Sequence, residues 1–89
     1  MFSSWGKETA KKYSEEEIEK ILEKMAEGSE YGVILRAKGI VAGQDGSFIH
    51  FDMVPGEVEI RNGAPDVTGR LCVIGTVLNV KAIEEAFRV

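Results

Sequence analysis

The sequence predicts an α+β domain in which a four-stranded antiparallel sheet carries two helices on one face, in the order α-β-β-β-β-α. Three observations support this prediction. A helix start signal and a helical apolar stripe begin near residue 14, two-residue alternation runs from residue 31 to residue 74, and a second helical stripe follows Asn79. Consecutive strands joined by short turns favour an antiparallel meander with both helices on the same side.

Residues 1–13 show neither a helical nor a strand period, and we interpret them as an N-terminal extension or linker. The predicted domain therefore spans residues 14–89. The extension contains Trp5, a large side chain that we expect to anchor this segment on the domain or to contact a neighbouring domain.

The first helix is predicted over residues 15–27. Ser14 and Glu17 have the spacing of a capping box, in which each side chain binds the backbone amide of the other residue. Gly28 is a predicted stop signal at the end of the helix. Apolar residues recur behind the capping box at the spacing of one helical face, namely Ile18, Ile21, Leu22, Met25 and Ala26.

Four strands are predicted between the helices, over residues 31–41, 47–54, 57–61 and 70–74. Asp45-Gly46 is a strong hairpin signal between the first two strands. Pro55-Gly56 suits the centre of a type II turn, because proline presets φ at its first central position and glycine accepts the positive φ of the second. The last strand is the most apolar and is predicted to be central.

The second predicted helix begins after Asn79, a good N-cap residue, and places Val80, Ile83 and Phe87 on one side. The alternation of the second strand assigns its side chains to two faces. Ile49, Phe51 and Met53 are predicted to point into the core, and Phe48, His50 and Asp52 are then predicted to point away from the helices.

Composition excludes several classes of function. The 89 residues carry a net charge of −4 without clustered basic residues, so no nucleic-acid partner is expected. No apolar run approaches the length of a membrane span, and the N-terminus lacks the features of a signal peptide. Cys72 is the only cysteine, which indicates a reducing compartment, and we expect a cytoplasmic protein.

No complete catalytic or nucleotide-binding motif occurs, so the chain is not expected to be an enzyme. The segment from Gly63 to Arg70 is the nearest match to a phosphate-binding loop, but its spacing is wrong and it contains no lysine. Charged side chains converging on one sheet face could hold an anionic substrate, yet an open face lacks the cleft that an enzyme needs.

A mixed polar and apolar surface is predicted on the sheet face that the helices leave uncovered. The simplest interpretation is a solvated face with cross-strand ion pairs. The alternative is a docking face for another domain or protein, because Phe48 and Ile34 are expected to make this surface more apolar than contact with water alone would favour. The predicted interaction residues are Arg36, Lys38, Phe48, His50, Asp52 and Arg70, together with Trp5.

Three potential metal ligands belong to the same predicted surface. His50 and Asp52 are two residues apart on one strand and point the same way, and Cys72 could join them from the last strand. One histidine and one cysteine cannot close a four-ligand zinc site alone, and a hydrogen-bonded His–Asp pair is the simpler interpretation. Cys72 lies among apolar residues, as an inert buried thiol would.

Three segments, in this order, resemble the C-terminal domain of the CobW family of GTP-binding metallochaperones. The first is the opening Phe2-Ser-Ser-Trp-Gly-Lys-Glu-Thr9. The second is the strand Val33–Val41, which contains an R-x-K-G pattern formed by Arg36, Lys38 and Gly39. The third is the apolar strand Leu71–Gly75, which is followed by a short helix.

The resemblance implies that this chain is the accessory part of a larger machine. Family members carry an N-terminal P-loop GTPase domain that holds GTP and a cysteine-rich motif, and they deliver zinc or cobalt to a client metalloprotein. None of those GTPase residues occurs here, so no cofactor site is carried over to this chain. The R-x-K-G residues are expected to have a structural or interfacial role.

Three functions remain open at this stage. The first is a non-catalytic interaction domain that aids metal delivery by docking to the GTPase domain in cis, to a client protein or to a second copy. The second is a direct metal-binding module, and the third is a stand-alone protein-interaction domain of the same fold. The sequence does not distinguish an excised domain from an independent gene product.

Overall fold

Two helices lie against one face of a six-stranded sheet in the computed structural model, which describes residues 1–89. The elements are β1 (Ser3–Thr9), β2 (Lys12–Tyr13), α1 (Glu15–Glu27), β3 (Val33–Gly43), β4 (Phe48–Val54), β5 (Glu57–Gly63), β6 (Gly69–Thr76) and α2 (Val80–Phe87). Neither helix combines the length and apolar composition needed to cross a membrane.

The strand order in the sheet is β1-β6-β3-β4-β5, and every neighbouring pair along it is antiparallel. The short strand β2 lies off this path and pairs with β3 in parallel over two residues. Strands β3 to β5 form a meander, but β6 then returns to the other side of β3 and pairs with both β3 and β1. Strands β6, β3 and β4 are therefore internal, with β3 in the middle, and β1 and β5 form the two edges.

The predicted four-stranded sheet and the order α-β-β-β-β-α are wrong. The two additional strands come from residues 3–13, where no regular structure was predicted, and β1 pairs with β6 over seven residues. Within β1 only Trp5 is buried, because an edge strand has one neighbour and most of its side chains face solvent. Its sequence therefore lacks the apolar alternation by which half-buried strands are recognised.

Helix α1 begins at its capping box, as its sequence indicates. The Glu17 amide donates to the Ser14 Oγ at 3.1 Å, and the Ser14 amide donates to the Glu17 Oε1 at 3.0 Å. The hydrogen bond from the Ser14 amide is the main cause that lowers the pKa of Glu17. The helix ends at Gly28, whose amide donates to the Lys24 carbonyl at 2.8 Å.

The hydrophobic core lies between the helices and the sheet and contains seventeen buried apolar residues. Phe87 of α2 is fully buried at its centre and stacks on Trp5 and Phe51, with ring centroids 6.1 and 6.2 Å apart. The Tyr13 hydroxyl donates to the Phe87 carbonyl at 2.7 Å, and the Trp5 indole donates to Glu84 at 3.2 Å. These contacts join the N-terminal strands to the last helix.

Candidate functional site

One face of the sheet carries both helices, and the opposite face is left uncovered. Strand β4 shows the division, because Ile49, Phe51 and Met53 are buried whereas the residues between them are only half-buried. We use "uncovered face" for the second set of side chains. Its charged and polar members are Arg36 and Lys38 on β3, His50 and Asp52 on β4, Glu59 and Arg61 on β5, and Arg70 and Cys72 on β6.

The strand register sets these side chains in two adjacent rows across the face. In one row, Lys38 pairs with Asp52 on one side and with Cys72 on the other. In the next row, Ile40 stands between His50 and Arg70. Together these residues line a shallow concave region of about 530 Å³ in the middle of the face. Residues from the central strands and β5 thus form one continuous surface.

The strongest polar contact on the uncovered face joins Arg36 to Asp52. The Arg36 Nε donates to Oδ1 at 3.0 Å and Nη2 donates to Oδ2 at 2.6 Å, so the guanidinium grips both carboxylate oxygens. These hydrogen bonds raise the pKa of Arg36 and lower the pKa of Asp52. The pair fixes the direction of both side chains, although the Arg36 side chain remains 47% exposed and the Asp52 side chain 36% exposed.

The other cations of the face make a single ion-pair contact or none. Arg61 pairs with Glu59 on its own strand, and both side chains are exposed. Arg70 lies 3.7 Å from Asp66, which belongs to the loop before β6. Lys38 makes no ion pair, and its ammonium stays available to a partner. The centre of the face therefore has one ammonium group, that of Lys38, which lies outside any direct ion pair and beside the Arg36–Asp52 pair.

His50 is directed toward β5 and the loop that follows it. Its Nε2 lies 2.9 Å from the carbonyl oxygen of Ala64 and donates to it, since a carbonyl can only accept. The imidazole ring covers Gly63, where a Cβ atom would lie 2.5 Å from two ring atoms. Glycine at residue 63 thus makes room for the ring.

The three candidate metal ligands do not converge. His50 is hydrogen-bonded to a backbone carbonyl, and Asp52 uses both oxygens on Arg36. Cys72 lies two strands away from Asp52, and the Lys38 position stands between them. No group of three or more histidine, cysteine or acidic side chains comes together anywhere in the chain. The donor set does not fit a metal ion.

Two of the predicted interaction residues, Trp5 and Phe48, lie outside the charged centre of the uncovered face. Trp5 belongs to the helix-covered face, where it is buried against α2, so it is not part of the uncovered face. Phe48 is half-buried at the end of the uncovered face, where it pairs with Ala42 and Gly63. Its position does extend the apolar part of this surface. The placement of Ile34 on the same surface is wrong, because the strand is irregular between Ile34 and Arg36 and Ile34 is buried in the core.

The predicted set left out some residues that the register adds to the uncovered face. Ile40 stands within the charged rows, and Ile74 pairs with Arg36 and Ser4 in the row beyond Cys72. The alternation of β6 could have identified Ile74 from the sequence. It could not have shown that β1 lies beside it, because β1 has no periodic signal.

The family described as "Cobalamin synthesis protein cobW C-terminal domain" matches residues 2–89 of the chain. A zinc(II)-bound YjiA GTPase from E. coli has the same fold, with a TM-score of 0.77 and 24% identity over 98% of this chain. A zinc(II)-bound triple mutant of YjiA GTPase matches with a TM-score of 0.81 and 22% identity over the same share. In both cases the chain spans 29% of the solved chain. No curated protein sequence matches it.

Proposed function

This chain belongs to the family of cobalamin synthesis protein cobW C-terminal domains, and from that premise we propose that it is a non-catalytic interaction domain of a CobW-type GTPase. The resemblance seen in the three sequence segments is thereby confirmed. The domain accounts for less than a third of each GTPase chain that shares its fold, so the remainder of such a protein would supply GTP binding and hydrolysis.

We propose that the uncovered face is the docking surface and that its first partner is the GTPase domain. The observation that carries this proposal is the arrangement of the sheet itself. Both helices lie on one side, and the other side presents a concave region with Lys38 free of any ion pair at its centre. Complementary charge on a partner would orient the encounter and fix its register.

In this proposal the chain contributes to metal delivery by positioning the GTPase domain or a client protein. GTP and the zinc or cobalt ion would be held by the GTPase domain. Direct metal binding by this chain receives less support, because His50 and Asp52 already have other partners and Cys72 lies apart from them.

The proposal is tested by titrating the ¹⁵N-labelled chain with the GTPase domain, loaded in turn with GTP and GDP. We expect chemical-shift changes on residues 36–38, 48–52 and 70–72, with smaller changes on the helices. Lys38→Glu reverses the charge at the centre of the face and should weaken binding about tenfold.

The matched control is Lys20→Glu, which makes the same charge reversal on the exposed side of α1 and should leave the affinity unchanged. The proposal fails if neither nucleotide state shifts residues on the uncovered face. It also fails if Lys20→Glu weakens binding as much as Lys38→Glu.

A further inference from the structure

A second exposed surface lies at one end of the sheet and is apolar. Four side chains are exposed there: Phe2 by 71%, Val33 by 58%, Val77 by 86% and Val80 by 43%. We call this set the apolar corner. None of the four carries a charge, which separates the corner from the ion-paired centre of the uncovered face.

The strand register brings the corner together from separate parts of the sequence. Ser3 pairs with Gly75, and Val33 pairs with Thr76, so Phe2, Val77 and Val33 stand at the same end of the neighbouring strands β1, β6 and β3. Val80 begins helix α2 three residues after Val77. The N-terminal end of β1 therefore lies at the corner.

Val77 has a backbone conformation that is unfavourable for a residue with a β-branched side chain. Its φ is 52°, in the left-handed region, which glycine and asparagine tolerate and which a β-branched residue rarely adopts. The side chain is not compensated by packing, because it projects into solvent. Strain of this kind persists where the surrounding structure enforces it, and it often marks functional positions.

The surrounding structure does enforce the turn at Val77. The Asn79 amide donates to the Tyr31 carbonyl at 3.1 Å, and the Asn79 side chain donates to the Glu30 carbonyl at 3.0 Å. Gly32 passes so close that any side chain there would overlap the Val77 carbonyl. The segments around residues 30–32 and 77–79 therefore restrain each other, and the backbone at Val77 is fixed.

We propose that Val77 is an anchor by which the GTPase domain preceding this domain packs on the apolar corner, with Val33 and Phe2 beside it. The proposal rests on the proposed function and names a second part of the same docking. The family described is that of a C-terminal domain, so the GTPase domain of a CobW-type protein would be joined to it through the N-terminal end of β1, beside the corner. A tethered partner arrives there at high effective concentration.

The test compares Val77→Asn with Val67→Asn in a titration with the GTPase domain. Asparagine accepts positive φ and removes the apolar side chain, so Val77→Asn should keep or raise the thermal midpoint of the chain. It should also weaken binding about tenfold or more, the effect of losing one buried valine. Val67, exposed by 97% in the loop before β6 at the other end of that strand, is the matched control and should have no effect.

The outcomes separate this inference from the proposed function. If Val77→Asn binds as tightly as the unsubstituted chain while Lys38→Glu binds more weakly, the corner is not an anchor and the uncovered face still docks. If sedimentation shows a dimer of the unsubstituted chain that Val77→Asn dissolves, with unchanged binding to the GTPase domain, the occupant is a second copy and the inference is wrong. If the unsubstituted chain does not bind the GTPase domain, both proposals fail.

Discussion

The same strands present two opposite surfaces, and the comparison between them shows which side chains form the core of this domain and which remain open to solvent. The helix-covered face contributes the buried apolar side chains of β1, β3, β4 and β6 to the core. The uncovered face contributes none to that core, and its arginine side chains are between 47% and 61% exposed. Alternate residues of one strand thus have different physical environments.

This difference predicts which substitutions should change stability and which should change the affinity for a partner. A side chain on the covered face is surrounded by apolar atoms, and its removal leaves a cavity whose cost adds to the lost burial. A charged side chain on the uncovered face is screened by water, so its removal changes stability little but can change the affinity for a partner. Stability measurements and binding measurements should therefore report on opposite faces.

The largest effect is expected from Phe87→Ala. The ring is fully buried and stacks on Trp5 and Phe51, so truncation should lower the free energy of unfolding by about 3–5 kcal/mol. Urea denaturation followed by circular dichroism measures it. Phe87→Leu keeps most of the volume and gives a smaller loss that can be measured if the alanine variant does not fold.

Phe48→Ala is the matched control on the uncovered face, because it deletes the same ring from a half-buried position. Its cost should be clearly smaller than that of Phe87→Ala. Equal losses in the free energy of unfolding would contradict the difference between the two faces, since they would mean that the uncovered face is packed as tightly as the covered one.

An intermediate effect is expected from Gly39→Ala, at the glycine of the R-x-K-G pattern. An added Cβ would lie 2.5 Å from the Arg70 carbonyl oxygen and 2.7 Å from the Phe51 ring. The backbone oxygen cannot move freely within the ladder, so overpacking should cost about 1–3 kcal/mol. The pattern's glycine thus has a structural role, because the ring of Phe51 fills the space beside it.

Gly6→Ala is the control for this prediction. The same methyl group added on β1 would lie 3.5 Å from the Leu71 carbonyl, an ordinary contact distance, and should be tolerated. Denaturation of both variants under one set of conditions decides the matter. A loss for Gly6→Ala as large as that for Gly39→Ala would show that alanine itself, rather than the crowding at Gly39, destabilises the sheet.

The sequence predicted the parts of this fold that local chemistry determines. Helix α1 spans Glu15–Glu27, the predicted range, because its capping box and apolar stripe are both local signals. The assignment of Ile49, Phe51 and Met53 to the core followed from alternation within one strand. The family was recognisable from three short segments because they follow one another in the same order as in the family.

The remaining features depend on contacts between distant residues. Alternation shows which face a strand buries but does not show its neighbours, so the return of β6 to β3 and the pairing of β1 could not be predicted. The His50 ring is oriented by the hydrogen bond that it donates to the Ala64 carbonyl, and a backbone carbonyl has no sequence signature. The strained turn at Val77 is held in place by the hydrogen bonds that Asn79 donates to the carbonyls of Tyr31 and Glu30. These residues are nearly fifty positions away in sequence.

The smallest effect on stability is expected from breaking the Arg36–Asp52 pair on the uncovered face. Arg36→Ala and Asp52→Asn should each lower the free energy of unfolding far less than Gly39→Ala, because both side chains are partly exposed and their interaction is screened by water and salt. A double-mutant cycle of the two variants isolates their coupling. Its decrease at high salt would distinguish an ion pair from packing of the arginine stem.

The coupling should also depend on pH in a definite direction. Arg36 lowers the pKa of Asp52 below its ordinary value of 3.8, so the ionised carboxylate is favoured in the folded state. The pair therefore contributes its full stabilisation above pH 3.8 and loses it as the pH falls through the lower pKa of the folded state. Cycles at pH 7 and near pH 3 measure this loss. A coupling energy that stays constant over this pH range would mean that the interaction does not depend on the charge of Asp52. A coupling energy as large as the Gly39→Ala effect would mean that the uncovered face contributes to stability as the covered face does.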